Sequence, residues 1–444
     1  MNFPQAGEYL LSLGNEVSAM KLGLKNIRKL LAALDDPHRT YLKIQVAGTN
    51  GKGSVSAFLD SICSKAGINA GLYTSPHLVS ITERIKIDGR EITRTAFARH
   101  ATTVRDTAEK LITSGDLENV PTFFEQITAI ALLAFAEAKV DLAILETGLG
   151  GRLDATTAAN AEIVAITQID YDHQNYLGET LIEIAAEKAA IIRTDTQTIL
   201  GSQKPQVGIV LDVACSDLGV TPKSAQDIEA THLPKQPSGN AIVMERVSPA
   251  VNFQTLKAKY ENVCLSLLGR HQIENAKVAI LLAETLQNYF HITTKNISDG
   301  LQSASHPGRL EHWKNFLFDG AHNVSGAKAL RYYLDEFVHQ PVTMIFGSMK
   351  DKDVNEIAKT LFPKANILIL TQPDNSRAMP VEELSKFAPD EREQLRVIFA
   401  TSVAEALKNA KELTPTAGLI LITGSLYLVG EAKKILNNCS IADA

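Results

Sequence analysis

Residues 46–56 read VAGTNGKGSVS, and this stretch decides much of the fold. A short apolar run at 42–47 precedes it and an amphipathic helical pattern at 54–66 follows it, so it predicts a strand-to-helix turn. Glycines at such a turn let backbone N–H groups approach phosphate oxygens closely, and the helix N-terminus adds a favourable partial charge. Lys52 would then reach the outer phosphates as a mobile point charge.

The spacing of this turn departs from the general GxxxxGK[ST] pattern. Only two residues separate Gly48 from Gly51, and Gly53 stands between Lys52 and Ser54. A glycine-rich turn with a purely structural role is the alternative at this point. The position between a strand and a helix favours a phosphate loop instead, with these residues as nucleotide contacts: Gly48, Thr49, Asn50, Gly51, Lys52, Gly53 and Ser54.

Short apolar runs alternate with helical patterns along the chain, and this alternation predicts an α/β fold. The first series of strands is YLKIQVAG, NAGLYTSP, VDLAILETG and EIVAITQID. The pattern restarts after HPGRLEHW (306–313) with FLFDG, PVTMIFGSM, NILILTQP, LRVIFA and GLILITGS. We therefore predict two doubly wound domains, residues 1–300 with the phosphate loop and a smaller Rossmann-like domain at residues 301–444.

The composition excludes several classes of protein. The chain has 444 residues, is 45% hydrophobic and 21% charged, and carries a net charge of -6. This balance argues against a nucleic-acid binder held by bulk electrostatics. No apolar stretch is long enough to span a bilayer, and the N-terminus lacks the pattern of a signal peptide. We expect a cytoplasmic enzyme with neither nucleic-acid nor membrane partners.

Three polar residues follow predicted strands at their carboxyl ends, where an open α/β sheet binds its ligands. Ser75 follows NAGLYT, Glu146 ends VDLAILE, and His173 lies in IDYDHQNYLG. Hydroxyl, carboxylate and imidazole groups can all bind magnesium. Taken singly, each has a structural explanation, as a turn-capping hydroxyl, a salt-bridged carboxylate or a histidine bonded to backbone. Their joint placement beside a phosphate loop favours a metal site.

Residues 180–192, TLIEIAAEKAAII, place Lys188 on the apolar stripe of an amphipathic helix. Ile184 and Ala185 lie one turn before it, and Ile191 and Ile192 one turn after it. One interpretation is a lysine whose stem lies on the core while its ammonium reaches solvent. The other is a desolvated lysine whose partly neutral amine has a chemical role.

The second domain contributes polar residues in GRLEHW and FLFDGAHN. Arg309 suits a phosphate or carboxylate through its planar fork, and Asp319 ends a strand, where it could accept from a ribose hydroxyl or an amine. His322 follows in the same segment. An interdomain ion pair is the alternative role for the charged residues.

These motifs together resemble a known family. GTNGKGS, YTSPHL, TERIKIDG, ETGLGGRLDAT, DHQNYLGETLIEIAAEKAAII, HPGRLE, DGAHN and TGSLYL occur in the order seen in folylpolyglutamate synthases, some of which are also dihydrofolate synthases. The resemblance spans about residues 40–430. It implies a Mur-ligase-type ATPase domain followed by a glutamate-ligase domain, and therefore an ADP-forming ligase of an acid and an amino acid.

The resemblance also implies the reaction and the metal ligands. ATP would phosphorylate the γ-carboxylate of a bound folate, and the amine of L-glutamate would attack the acyl phosphate. Ser75 and Glu146 would bind one Mg²⁺ and His173 a second. The lysine matching Lys188 is carbamylated by carbon dioxide in the family, which would place an anionic oxygen donor near the metals. Only a neutral amine reacts this way, and apolar surroundings favour the neutral form.

Further site residues follow from the same resemblance. Asn275, Arg309 and Asp319 would contact the nucleotide from across the interdomain cleft. His322 and Ser425 would take part in catalysis or in placing glutamate, with Asp319 and His322 among the catalytic residues. Two segments would bind the pteridine-bearing substrate, with Phe123 and Phe124 offering aromatic surface unless they are core residues: Thr122, Phe123, Phe124 and Glu125, then Leu153, Asp154 and Ala155.

Two alternatives compete with a folate–glutamate ligase. One is a Mur-type amino-acid ligase for another carboxylate substrate, but only 51 residues precede Lys52, too few for a separate domain that binds a UDP-sugar. The other is a nucleotide-dependent binding protein without the chemistry, which would have lost one of the key polar residues. The sequence leaves open whether the acceptor is a reduced folate, dihydropteroate or both. We expect a monomer.

Overall fold

The computed structural model describes residues 1–14, 23–232, 250–389 and 395–442. The chain forms two compact units, each made of separate segments of the sequence. The first unit comprises Met1–Ile169, Asn175–Ser266 and Ile273–Ser305, and the second comprises Asp170–Gln174, Leu267–Gln272 and His306–Ala444. The assignment of ATP and folate binding to residues 1–300, and of glutamate ligation to residues 301–444, stays a prediction.

Within the described residues, an eight-stranded sheet forms the centre of the first unit, in the order β4-β3-β2-β5-β1-β6-β7-β8. Neighbours from β2 to β8 pair in parallel, whereas β3 and β4 add an antiparallel edge. The strands are β1 (Leu42–Ala47), β2 (Ala70–Tyr73), β3 (Ile85–Ile87), β4 (Arg90–Glu91), β5 (Leu142–Glu146), β6 (Ile163–Ile166), β7 (Gln197–Leu200) and β8 (Lys223–Ser224). A small antiparallel sheet contains β9 (Glu229–His232), β10 (Ala250–Gln254) and β11 (Lys259–Cys264).

The central strands are apolar because helices cover both faces of a parallel sheet. β1 nevertheless buries two polar side chains, those of Lys43 and Gln45. Lys43 donates to two backbone carbonyls and pairs with Glu162 at 3.0 Å, and the Gln45 amide donates to two threonine hydroxyls. Each of these two buried side chains therefore has partners, as burial requires.

Several helices of the first unit begin with a side-chain cap. Thr122 and Glu125 form a capping box at the start of one helix, and Thr180 and Glu183 form another. The helices that begin before residue 305 are α1 (Phe3–Ser12), α2 (Lys25–Ala33), α3 (Lys52–Lys65), α4 (Arg94–Thr113), α5 (Phe123–Glu137), α6 (Gln174–Leu177), α7 (Leu181–Ala189), α8 (Pro205–Asp217), α9 (His271–Leu286) and α10 (Thr294–Ser303). Short 3₁₀ turns occupy Pro37–Thr40, Ile81–Arg84, Ala155–Ala159 and Ala225–Asp227.

The second unit contains a six-stranded sheet within the part of the chain that the structure describes, in the order β12-β13-β17-β14-β15-β16. All pairs are parallel except the edge pair of β12 with β13. Its strands are β12 (Glu311–Trp313), β13 (Phe316–Phe318), β14 (Val342–Phe346), β15 (Ile367–Leu370), β16 (Arg396–Phe399) and β17 (Leu419–Thr423). Its further helices are α11 (Val324–Phe337), α12 (Val354–Leu361), α13 (Val381–Leu384), α14 (Val403–Leu413) and α15 (Leu426–Ala442), with 3₁₀ turns at Phe362–Lys364 and Ser385–Phe387.

The α/β fold class and the two parallel-rich sheets confirm the sequence prediction. The predicted strands around 42–47 and 142–146 are β1 and β5, and the five predicted strands after residue 313 are β13 to β17. The antiparallel edges were not predicted, because two- and three-residue strands leave almost no pattern in a sequence. Across the described residues, none of the helices combines the length and apolar character needed to cross a bilayer.

Candidate active site

The loop between β1 and α3 requires glycine at two positions. Gly48 has φ +148°, and a Cβ there would lie 1.9 Å from Thr167 Oγ1. Gly51 has φ +88°, and a Cβ there would lie 2.2 Å from Asn275 Oδ1. Gly51 also directly precedes Lys52, the first residue of α3, so the helix begins two residues earlier than predicted. The N-terminus of this helix, which carries a favourable partial charge for anions, therefore lies at the glycine-rich turn.

Asn275 therefore lies beside the predicted phosphate loop within the first unit. The side chain is buried and comes from α9. The expectation that it reaches the nucleotide from the other domain is wrong for this residue. Just before Asn275, the chain enters the second unit only over Leu267–Gln272 and returns to the first unit at Ile273, and no local sequence pattern marks this short crossing.

Two lysines converge on one carbonyl oxygen of the loop. Lys52 Nζ donates to Gly48 O at 3.1 Å and to Thr49 O at 3.3 Å, and Lys188 Nζ donates to Gly48 O at 2.9 Å. Thr49 and Asn50 donate their backbone N–H groups to the carbonyl of Gln168, which fixes the loop against the end of β6. The structure thus brings together the phosphate loop and the lysine of α7.

Lys188 is 3% exposed, so its ammonium does not reach solvent as the alternative interpretation required. Ile184 and Ala185, one turn before it, are fully buried in the core beneath α7. The segment after β5 packs closely on the same turn, because a Cβ at Gly151 would lie 2.8 Å from Glu187 O and 3.1 Å from Lys188 O. The apolar stripe therefore encloses the amine and points it at the loop.

Ser75 and Glu146 lie together at the carboxyl ends of β2 and β5. The backbone N–H of Ser75 donates to Glu146 Oε2 at 3.2 Å, and the Glu146 side chain is buried. The Ser75–Pro76 peptide bond is cis. A carboxylate and a hydroxyl are oxygen donors of the kind that Mg²⁺ prefers, so their chemistry fits the predicted metal.

The first predicted substrate segment, residues 122–125, contains one buried and one half-buried phenylalanine. Phe123 is buried in the core, as its structural alternative proposed, and the Arg84 guanidinium stacks 5.4 Å from its ring centroid. Phe124 is half-buried. Its ring lies close to Gly148, because a Cβ at Gly148 would come within 2.5 Å of Phe124 Cζ. Thr122 and Glu125 cap α5 by donating a backbone N–H to each other's side chain, at 2.8 Å and 3.3 Å. Of this segment, Phe124 is the member suited to meet a ligand.

Asp154 holds its own loop together. Its carboxylate accepts the N–H groups of Gly148, Leu149 and Thr156, at 2.9, 2.9 and 3.0 Å, and the Thr156 hydroxyl. Burial raises the pKa of this carboxyl, and the hydrogen bonds oppose the rise. Leu153 is exposed and Ala155 is buried. The substrate contacts of these three residues stay predictions.

In the second unit, Asp319 and Arg309 lie on adjoining segments. Asp319 accepts the N–H groups of Leu310 and Ala321, both at 2.9 Å. Burial raises the pKa of this carboxyl, and the positive charge of Arg309 opposes the rise. Gly320 lets the two segments approach closely, since a Cβ there would lie 3.0 Å from Arg309 Nη1. The pair is local to this unit, and its predicted nucleotide contacts stay predictions.

Asp172 is the centre of a charged cluster in the second unit. Lys352 Nζ lies 2.5 Å from one carboxylate oxygen, and Asn323 Nδ2 donates to the other at 3.1 Å. His322 Nε2 lies 3.6 Å and His173 Nε2 3.8 Å from this carboxylate. Burial acts to raise the pKa of Asp172, but the contacts with His322, His173 and Lys352 outweigh it and hold this pKa well below its usual value.

His173 has two properties that suit a metal ligand. Burial lowers its pKa to about 4, so the imidazole is neutral and offers a lone pair at neutral pH. Its Nδ1 atom is buried and has no hydrogen-bond partner within the described structure. In the same described ranges, no three His, Cys, Asp or Glu side chains form a ready-made metal site, so a metal would need donors of other kinds, such as a hydroxyl or a modified lysine.

Ser425 is nearly fully buried at the start of α15, where its hydroxyl accepts the N–H of Tyr427 at 3.1 Å. Gly424 before it has φ +103°, and a Cβ there would lie 2.6 Å from Gly347 O. The residue therefore lies on a tight turn at the carboxyl end of β17. Its predicted contact with glutamate stays a prediction.

Sequence reasoning missed Asp172 and Lys352. Asp172 stands directly before His173 in IDYDHQN, and Lys352 lies shortly after β14 in SMKDKD. Applying the rule of strand carboxyl ends to PVTMIFGSM would have marked Lys352 as a candidate. Nothing in the sequence pairs the two residues, because 180 positions separate them.

Comparisons with known proteins show which families the chain is similar to. The Mur ligase middle domain family matches residues 46–283, and the family described as dihydrofolate synthetase, C-terminal domain, matches residues 307–436. The chain is 34% identical over 430 residues to the dihydrofolate synthase/folylpolyglutamate synthase of Bacillus subtilis, covering 94% of this chain and 95% of that protein.

Two further similarities extend over almost the whole chain. It is 33% identical over 442 residues to a probable bifunctional folylpolyglutamate synthase/dihydropteroate synthase of Haloferax volcanii, covering 98% of this chain but only about half (50%) of that relative. The solved Mycobacterium tuberculosis folylpolyglutamate synthase complexed with ADP superposes with a TM-score of 0.88 at 30% identity, covering 98% of each chain. The resemblance carried by the motifs is confirmed, and the chain belongs to the folylpolyglutamate synthase/dihydrofolate synthase family of Mur ligases.

Proposed function

We propose that this chain is an ATP-dependent ligase that joins L-glutamate to the γ-carboxylate of a folate through an acyl phosphate. The observation that carries the proposal is the glycine-dependent turn from β1 to α3, on which Lys52 and Lys188 converge. A carboxylate is a poor electrophile, so phosphoryl transfer is needed to activate it. That transfer requires mainly positioning and charge neutralisation, which a phosphate loop with a lysine supplies.

The chain's own residues have separate roles in this proposal. The first turn of α3 and Lys52 hold the β- and γ-phosphates, and the half-buried Phe124 provides aromatic surface for a flat pterin ring. In the second unit, Arg309 and Asp319 contact the nucleotide, and His322 and Ser425 serve the incoming glutamate. Each of these roles has a polar or aromatic group of the required kind in the described structure.

Two magnesium ions complete the proposed site. Ser75 and Glu146 would hold one, His173 the other, and bound magnesium would neutralise charge on the transferring phosphoryl group. We propose that Lys188 is carbamylated: its amine nitrogen forms a bond to the carbon of carbon dioxide, a proton leaves, and the product is an anionic oxygen donor. The buried, loop-facing amine supports this role, because enclosure in an apolar stripe favours the neutral, reactive form.

The first experiment measures phosphate release that depends on ATP and L-glutamate, with dihydropteroate and with tetrahydrofolate as separate acceptors. Release with both would establish a bifunctional synthase, and release with tetrahydrofolate alone a dedicated polyglutamylating enzyme. No release with either would contradict the folate assignment and favour the alternative, a Mur-type ligase for another carboxylate.

Two lysines at opposite ends of α3 provide a matched pair of variants. Lys52→Met removes the ammonium at the loop, and we expect kcat to fall by about 100-fold or more, the effect of losing one group that stabilises developing charge. Lys65→Met removes an exposed ammonium from the last turn and should leave kcat unchanged. The cytoplasmic location and monomeric state remain expectations from the sequence.

A further inference from the structure

The carboxylate of Asp172 is held from two sides by residues of the second unit. Lys352 Nζ contacts Oδ1 at 2.5 Å and Asn323 Nδ2 donates to Oδ2 at 3.1 Å. The orientation of the Asn323 amide is determined, because its Oδ1 accepts the N–H of Gly326 at 2.8 Å as the N-cap of α11. The side chains of Lys352 and Asp172 are only 7% and 9% exposed, so solvent exchanges little with this pair.

Lys352 is itself held on a braced loop. Asp351, beside it, pairs with Arg377 at 2.9 Å and lies 3.7 Å from Lys352 Nζ. A bridge between Met349 and Ala378 ties the loop after β14 to the loop after β15. Lys352 therefore contacts Asp172 from a loop that is held in place at the carboxyl ends of the parallel strands.

The same carboxylate faces two histidines. His322 Nε2 lies 3.6 Å from Oδ2, while its Nδ1 donates to Gly320 O at 2.8 Å, so each ring nitrogen faces an oxygen. His173 Nε2 lies 3.8 Å from Oδ1, and the His173 backbone N–H donates to the same oxygen at 2.9 Å. His173 has a left-handed backbone, with φ 51°, and Asp172 contacts it through both the backbone and the ring.

A salt bridge that only stabilises the fold needs no more than one cation beside the anion. Here one carboxylate meets four side chains from three parts of the sequence, and two of them are the histidines of the proposed site. Oδ1 accepts from Lys352 and from the backbone N–H of His173, and Oδ2 accepts from Asn323. Lys352 and Asn323 therefore hold the carboxylate of Asp172 in place. This carboxylate in turn faces the imidazole rings of His173 and His322.

We propose that Asp172, pinned by Lys352 and Asn323, is a positioning residue that sets the orientation of both His173 and His322. The proposal deepens the proposed function, since it concerns residues of the same site and rests on their roles there. Groups that orient metal ligands and catalytic side chains commonly affect affinity or rate by about 10- to 100-fold when they are replaced.

The test uses the 444-residue chain and three variants. Asp172→Asn keeps the shape of the side chain and removes its charge, Asp172→Glu keeps the charge, and Lys408→Gln removes an exposed charge from α14 of the same unit without touching Asp172 or Lys352. We expect Asp172→Asn to lower kcat with saturating substrates by about 10- to 100-fold while the KM for ATP changes less than about threefold. Asp172→Glu should recover part of the rate, and Lys408→Gln should match the unmodified chain.

A second readout does not depend on activity. In protein labelled with ¹³C-histidine, the imidazole signals of His173 and His322 are assigned by His173→Gln and His322→Gln. Asp172→Asn should move both signals and leave that of His77, which lies in the first unit, in place. Lys352→Gln should move the same two signals, and this variant decides the question if Asp172→Asn does not fold.

Unchanged signals of both histidines in these variants would overturn the proposal, as would equal kcat values for Asp172→Asn and Lys408→Gln. An inactive unmodified chain would instead contradict the proposed function. In that case the imidazole signals alone still decide whether Asp172 orients the two rings.

Discussion

The amine of Lys188 donates to the carbonyl oxygen of Gly48 at 2.9 Å, joining α7 to a loop 140 residues earlier in the chain. Lys52 donates to the same oxygen at 3.1 Å. Conversion of Lys188 to a carbamate would replace its ammonium by a single neutral N–H and place a negative charge near Lys52. The loop carbonyl is thus the point at which modification of Lys188 would change the surroundings of Lys52.

Activity should depend on carbon dioxide through Lys188. We expect enzyme prepared and assayed in buffers freed of carbon dioxide to lose about 10-fold or more of its phosphate-release rate, and bicarbonate to restore it, because the carbamate forms reversibly. Lys188→Gln should be slow under both conditions and Lys65→Met should respond as the unmodified chain does. Equal rates with and without bicarbonate would contradict the carbamate. Intact-mass measurement under non-acidic conditions checks the modification directly.

Gly51 should be intolerant of a side chain for two separable reasons. Gly51→Ala forces alanine into a left-handed backbone, which costs about 1–2 kcal/mol, and places its Cβ 2.2 Å from Asn275 Oδ1. Gly67→Ala, at the other end of α3, has φ +72° and open space, so it carries the backbone cost alone. We expect Gly51→Ala to lower the free energy of unfolding more than Gly67→Ala in urea titrations without nucleotide.

The contribution of Asn275 to that difference can be isolated. In an Asn275→Ala background the colliding amide is gone, so Gly51→Ala should cost no more than Gly67→Ala. If the two glycine variants lose equal stability in the unmodified background, the close contact between α9 and the loop is not present in solution.

We expect Phe124 to contribute to the binding of the folate acceptor. A substitution at Gly148 tests this contribution, because it displaces the Phe124 ring without changing the chemistry of the ring. Gly148→Ala places a Cβ 2.5 Å from Phe124 Cζ, so the ring must move. Overpacking of this kind costs about 1–3 kcal/mol, and we expect the KM for the folate acceptor to rise about 10-fold with the KM for ATP nearly unchanged. Equal changes in both KM values would place the effect outside the acceptor site.

Gly208→Ala is the matched control for that variant. Gly208 lies within α8, and apart from its chain neighbours and the backbone of its own helix nothing lies within 4 Å of the position that an alanine methyl would occupy, so this substitution should leave both KM values unchanged. It should also stabilise the chain by about 0.5–1 kcal/mol, because alanine loses less backbone entropy in a helix.

Local patterns predicted the strands, the helices and the phosphate loop, because each depends on residues close in sequence. β1 and α3 were predicted from periodicity, and the buried position of Lys188 follows from the stripe that carries it. The starting residue of α3 depended on the backbone of Gly51, which periodicity does not report. The contact of Asn275 with the loop and the pair of Asp172 with Lys352 depend on tertiary packing, and no spacing in the sequence encodes them.

The stability of the chain should fall in acid partly through His77. His77 Nδ1 accepts the Nε–H of Arg84 at 2.8 Å, and burial together with the charge of Arg84 lowers the pKa of His77 to about 3. In the unfolded chain this pKa is about 6.5, so between about pH 6.5 and 3 the unfolded state binds a proton that the folded state does not. Stability is therefore lost as pH falls through this window, by up to about 1.4 kcal/mol per pH unit from this group.

Replacing His77 should remove the contribution of His77 to the pH dependence of the free energy of unfolding. In His77→Asn the amide oxygen can take the place of Nδ1 as acceptor for Arg84, and the variant has no titrating group there. We expect urea titrations at pH 7, 6, 5 and 4 to show a smaller loss of unfolding free energy for His77→Asn than for the unmodified chain. His291→Gln, which removes an exposed histidine, should follow the unmodified chain. Parallel pH curves for His77→Asn and the unmodified chain would mean that His77 takes up its proton as readily when folded as when unfolded, contrary to its buried contact with a guanidinium.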